Sequence, residues 1–279
     1  MKSILVPIES YEAIRPTLET ALMLARRFES YVEGFALRFR VNEFVAVDMA
    51  GAIPLESLRD ENLEEARRAR QKFESFMQEH AVPRAATGPT AFSYGWLDDA
   101  PEGEAVVGSY GRVFDVIVIG RPEPKAIGLH LRALESGLFE SGRPVLLAPP
   151  VPPRRFGTNV LIAWNCSTEQ ARTTALAMPL LARADKVTVL YVKGGNEVPG
   201  PPASDIVRYL QRNGVPAALM SVELGGRTTG EAVLAAAQSL DCDLLVKGAY
   251  TQSRLRQMIF GGATRHIIAN ATLPVLMAN

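Results

Sequence analysis

One pattern constrains this chain more than any other: it is written twice. A short apolar run ending in a polar and then a small residue opens each half, as "SILVPIES" (3–10) and as "NVLIAWNCS" (159–167), so that Glu9-Ser10 matches Asn165-Cys166. Helix-period segments follow both, over 15–29 and 169–184, with Leu18, Ala21, Leu22 and Ala25 on one face of the first. Ala171, Ala175, Met178 and Leu181 or Ala182 form the expected face of the second, where Pro179 can kink or shorten the helix. Second apolar runs come next, at 31–39 and 186–194. The endings repeat as well. "FDVIVIGRP" (114–122) matches "CDLLVKGAY" (242–250), and "RPVLLAPP" (143–150) matches "LPVLMAN" (273–279).

Each half therefore reads β-α-β-α-β-α-β, with its last helix near 129–140 or 263–271. Short Val/Ile/Leu-rich runs alternating with helices predict parallel sheets covered on both faces. The expected fold class is α/β, built from two tandem doubly wound parallel-sheet domains over 1–150 and 156–279. The linker "APPVPPRRFGT" (148–158), with four prolines, separates them. The first half is longer in its middle. Residues 53–80 read as one long charged amphipathic helix with a solvated face, also suited to a lid or partner-binding segment. Its counterpart at 204–214 is short, with Ser204 as N-cap and Gly214 as stop.

Composition narrows the function classes. Thirty basic and 30 acidic residues give a formal net charge of zero, which supports neither nucleic-acid nor membrane-surface binding. Two cysteines are too few for a disulfide framework, and the three histidines, His80, His130 and His266, lie far apart, so no metal site is expected. The opening "MKSILVPIESYEAIRP" turns acidic and reaches Pro16 too early for a signal peptide, and no apolar run approaches the roughly 20 residues of a membrane span. A cytoplasmic location is expected. No Ser-His-Asp set, H-E-x-x-H or Walker A sequence occurs, so no catalytic residues are assigned.

In doubly wound sheets, ligands bind outside the carboxyl ends of the strands, where strand order reverses. Three segments of the second half converge there: Asn165-Cys166-Ser167, Val192-Lys193-Gly194, and the loop after Gly248. That loop suits a phosphate. Gly248 admits a positive φ or a close backbone approach. Gly261-Gly262 precede a helix beginning near Ala263 or Thr264, whose N-terminal N–H groups suit anionic oxygens. Thr251, Ser253 and Thr264 add hydroxyls, and Arg254, Arg256 and Arg265 add charge. The plainer reading is a strand-to-helix connection that needs glycines. Likewise Asn165 serves equally to cap a turn, Val192 reads as core, and Cys166 as an inert thiol. Cys242, Trp96 and Trp164 read as packing, and His266 as a surface or interface residue.

At this loop the chain resembles the universal stress protein family in its tandem two-repeat form. Nucleotide-binding members carry Gly-x-x-Gly, nine residues, then Gly-Ser or Gly-Thr before a helix and a final "PVLxx" strand. Here the spacing is kept from Gly248 through Thr251 to Gly261-Gly262, while Thr251 replaces the second glycine and Gly262 the hydroxyl residue. The resemblance implies a Rossmann-like fold of the adenine nucleotide alpha hydrolase type, with the halves paired through Val145–Leu147 and Val275–Met277 into an intramolecular pseudo-dimer. It implies an adenine-nucleotide site at Asn165, Cys166, Val192, Gly248, Thr251, Gly261, Gly262, Ala263 and Thr264, where Asn165 stands in for the family's aspartate. The ligand expected is ATP, with ADP or AMP as alternatives and Mg²⁺ only with the nucleotide. Stress-response sensing and a homodimer of the tandem chain follow from the same resemblance. The first half carries Glu9 and Glu123 at the matching positions and no glycine pair, so its site is expected to be lost: carboxylates repel a phosphate. A non-nucleotide interaction module and a slow ATP hydrolase are the alternatives.

Overall fold

A computed structural model describes residues 1–8, 14–38, 40, 55–86, 91–121, 129–195, 197–249 and 262–279. The first half contains β1 (Ser3–Ile8), α1 (Ile14–Phe28), β2 (Tyr31–Ala36), α2 (Leu55–Glu79), β3 (Ser93–Leu97), α3 (Ala105–Gly111), β4 (Val116–Gly120), α4 (Leu129–Glu140) and β5 (Val145–Ala148). The second repeats the order: β6 (Asn159–Trp164), α5 (Thr168–Leu181), β7 (Lys186–Lys193), α6 (Ala203–Arg212), β8 (Ala217–Glu223), α7 (Thr229–Ser239), β9 (Leu244–Gly248), α8 (Gly262–Asn270) and β10 (Val275–Ala278).

All ten strands join one sheet in the order β3-β2-β1-β4-β5-β10-β9-β6-β7-β8. Neighbours are parallel throughout except at the centre, where β5 and β10 run antiparallel with Val275 opposite Leu147, Leu276 opposite Leu146 and Met277 opposite Val145. Each half has the order 3-2-1-4-5, and the second is the first turned about an axis through the β5–β10 seam. The expected pairing of the halves through their last strands is therefore the centre of the sheet. Two strand edges that would each present unpaired N–H and C=O groups satisfy one another there. At one outer edge, the chain at 83–85 covers β3: Tyr94 donates to Pro83 O at 2.9 Å and Ala85 to Tyr94 O at 2.8 Å.

Each half holds one more strand and helix than the sequence pattern predicts: β3 with α3, and β8 with α7. Their residues explain the omission. β8, "AALMSVE", lies at the sheet margin with most of its residues partly or fully exposed, and β3, "SYGWL", contains a glycine, so neither is a continuous apolar run. The long helix α2 spans 25 residues. Phe73, Phe76 and Met77 bury its C-terminal part, with Phe73 against the rings of Tyr94 and Trp96, while most of 56–68 is exposed.

Two local expectations are corrected. The buried face of α5 consists of Gln170, Thr173, Thr174, Ala177, Leu180 and Leu181, whereas Ala171 and Ala175 face solvent. Polar residues hold this face because their groups are satisfied: Thr173 and Thr174 bond back to the carbonyls of Glu169 and Gln170, and Gln170 bonds to β9. At α6 the N-cap is Pro202, which makes no side-chain cap bond, and the Ser204 hydroxyl instead donates to Asp205 at 3.3 Å. Gly214 does end that turn, at φ +74°.

The repeat also builds a reciprocal clamp. Arg27 closes α1 and Arg183 follows α5, at equivalent positions. Each guanidinium donates to the other's backbone carbonyl, Arg27 adds Gly157 O at 3.1 Å and Phe156 O at 3.3 Å, and Arg183 lies 4.3 Å over the Phe28 ring. Charged donors on helix-terminal carbonyls are favourable for both hydrogen bonding and the helix dipole. Arg27→Ala is expected to cost about 2 kcal/mol, read as a lower urea midpoint at unchanged m-value. A loss under about 0.5 kcal/mol would show the clamp to be a solvated surface contact.

Candidate functional site

Strand order reverses in the second half between β6 and β9. A cleft opens there, at the carboxyl ends of β6, β7 and β9, enclosing about 650 Å³ with its open mouth included. One wall is apolar and buried: Ala163, Leu190 and Val192 from the strands, with Val233 of α7. The other carries Trp164, Tyr191, Gln170 and Glu197. Thr229 and Ala263, in the first turns of α7 and α8, complete the rim.

The local folding that positions these residues is explicit. Asn165 accepts the Ser167 N–H at 3.3 Å through Oδ1, and Ser167 is the N-cap of α5, accepting from Gln170 N at 3.1 Å. Asn165 thus closes the turn out of β6 and also lines the cleft. Cys166 takes a φ of +65°, a conformation disfavoured for a residue with a Cβ. Its Sγ contacts Pro201 O at 3.3 Å, and it is not among the residues lining the cleft. Burial, followed by the charge of Glu197, raises the Cys166 thiol pKa, and burial pushes that of Cys242 up to about 11. Both are held as thiols, which are poor nucleophiles.

Gly248 does not have a positive φ; its need is steric. A Cβ there would lie 2.5 Å from Gln170 N and 2.8 Å from both Gln170 Cα and Glu169 C, so the close approach that only glycine permits is that of the α5 backbone. Gln170 Oε1 accepts the Gly248 N–H at 2.7 Å and locks the crossing. Gly120, its counterpart in the first half, faces a side chain instead: a Cβ there would lie 2.7 Å from Thr17 Oγ1. Gly262 differs: a Cβ there would meet none of the described residues within 4 Å. It opens α8 at an exposed position, and no packing among the described residues requires it. Ala263 lines the cleft, and Thr264 is buried with its hydroxyl turned inward. Thr251 and Gly261 lie outside the described residues, as do Glu9 and Glu123 of the first half.

One residue in the cleft had not been singled out by its motif. Lys247 is 8% exposed, and its Nζ donates to Thr264 Oγ1 and to Gly248 O, both at 2.8 Å. Burial lowers its pKa from the usual lysine range to about 8. The available signal was a lysine inside an otherwise apolar parallel strand. Gln170 and Tyr191, beside the anticipated Ser167 and Val192, were likewise not singled out, and Glu197 and Thr229 come from a loop and a helix start outside the anticipated segments. Tyr191 donates to Glu197, and that bond raises the phenol pKa. His266 packs beside Gly230, between α8 and α7. No described helix is long and apolar enough to cross a membrane.

A family model described as the universal stress protein family matches residues 158–279. Among solved structures, a universal stress protein from Archaeoglobus fulgidus DSM 4304 is similar over 99% of this chain and 98% of its own, at 14% identity and a TM-score of 0.71. A putative universal stress protein from Pseudomonas aeruginosa UCBPP-PA14 is similar over 100% and 93%, at 14% identity and a TM-score of 0.56. At these identities the likeness is one of fold, and it extends through both halves. No curated protein matches the chain.

Proposed function

We propose, from the match of residues 158–279 to the universal stress protein family model, that this half binds an adenine nucleotide, ATP with ADP or AMP as alternatives, as a stress-response sensor. The observation that carries the reading is the α8 start: Gly262 opens the helix at an exposed position, and Ala263 in the same turn lines an apolar-walled cleft at the strand-order switch. In this reading the base and ribose lie along Val192, Leu190 and Val233, with Asn165 at the mouth offering an amide. The phosphates meet the backbone N–H groups of Gly262 and Ala263, and Mg²⁺ enters only with them. Thr251 and Gly261 join the site through their positions in the sequence motif.

Sensing needs only that one conformation binds nucleotide better than another. A cytoplasmic location and a homodimer of the tandem chain belong to the same proposal. A second reading, an interaction module without nucleotide, draws on one observation: Asn165 already serves the α5 turn.

Calorimetric titration with ATP, ADP and AMP separates the two. Saturable binding with a Kd below about 100 μM, or roughly −5.5 kcal/mol, is expected. Gly262→Asp, which places a carboxylate at the helix start with no described residue within 4 Å of its Cβ, is expected to weaken it by at least about tenfold. No heat and no retained nucleotide at millimolar ligand would leave the interaction module standing.

A further inference from the structure

Lys247 is a buried cation with uncharged hydrogen-bond partners. Two of its three N–H donors meet Thr264 Oγ1 and Gly248 O, and no carboxylate pairs with it among the described residues. The sequence from 249 to 264 contains no Asp or Glu. The fold does not require a charge at this strand position, because the first half places Ile119 there, fully packed. A buried charge without a counter-ion is costly. This one lines the cleft, beside Ala263 in the first turn of α8.

We propose that Lys247 is the anion-recognising residue of the cleft, pairing with a phosphate of the nucleotide so that phosphorylated ligands are selected over the bare nucleoside. The inference rests on the nucleotide reading above and assigns its charge selectivity to one side chain. Thr264 is a positioning residue, because its hydroxyl holds Nζ at the cleft wall. The ammonium supplies a charge-assisted bond that adenosine, lacking phosphate, cannot receive.

The test compares the Kd values of AMP and adenosine by calorimetry for the full chain and for Lys247→Met. The native protein is expected to bind AMP at least about tenfold more tightly than adenosine. Lys247→Met is expected to lose most of that ratio while its adenosine Kd stays within about threefold. Lys247→Ile, which copies the first half, is the second variant and covers the case in which methionine perturbs folding. An AMP-to-adenosine ratio unchanged in the variants, or native binding of adenosine as tight as that of AMP, overturns the role of Lys247 and leaves the nucleotide site intact. Absence of binding by ATP, AMP and adenosine alike overturns the nucleotide reading and this inference with it.

Discussion

Gly248→Ala is expected to destabilise the protein by about 3 kcal/mol. The new methyl would lie 2.5–2.8 Å from the backbone of Glu169 and Gln170, which cannot rotate away as a side chain can. Helix α5 would have to lift from β9. Overpacking of this kind costs roughly 1–3 kcal/mol, and the Gln170 Oε1 bond to the Gly248 N–H would stretch or break, at about 1 kcal/mol more. Urea unfolding of the variant measures the sum. Gly120→Ala serves as the internal comparison: its nearest obstacle is the rotatable Thr17 Oγ1, so it is expected to cost about 1 kcal/mol. Equal losses in the two halves would show that α5 is as free to adjust as a side chain.

Lys247→Met is expected to act in the opposite direction, raising stability at pH 7 by about 2 kcal/mol. The folded-state pKa of Lys247, about 8, lies below its reference value of 10.5. Between those values the unfolded chain binds more protons than the folded one, so native stability rises as pH climbs from about 8 to 10.5. Below about pH 8 the full penalty is present, of order 3 kcal/mol for a shift of this size. Methionine removes that penalty and leaves the Thr264 hydroxyl short of one partner, at about 1 kcal/mol. Glu197 and Tyr191 are the titratable groups that line the cleft with Lys247 among the described residues, and neither forms an ion pair or hydrogen bond with it. The measurement is the unfolding free energy of both proteins at pH 7 and pH 10.5. An advantage that persists undiminished at the higher pH would show that methionine gains by packing and not by removing a charge.

Much of the fold was legible because burial on both sheet faces writes continuous apolar runs. β1, β4, β5 and their counterparts announced themselves in this way, and the match of "RPVLLAPP" with "LPVLMAN" located the seam. β3 and β8 did not, since strands at the sheet margins need not be apolar throughout. The face of α5 was misplaced because periodicity rewards alanine, whereas the fold buries Gln170, Thr173 and Thr174 with their bonds satisfied. At the cleft, glycine identity alone could not separate two needs. Gly248 answers to the neighbouring helix, Gly262 to no described neighbour, and only contact distances tell them apart. Lys247 was hidden because a strand motif records its position and not the partners that its side chain lacks.

The antiparallel meeting of β5 with β10 has a consequence for how the molecule can change over time. In an assembly of two identical subunits, every substitution appears on both sides, and pairing weakens on dilution. Here a single covalent chain fixes one copy of each half, so the seam does not depend on protein concentration. Each half can then drift separately. One side can exchange a lysine for an isoleucine, or gain a long exposed helix, while the other keeps its own chemistry. The fused architecture frees the molecule from symmetry while retaining the strand pairing that symmetry would have supplied.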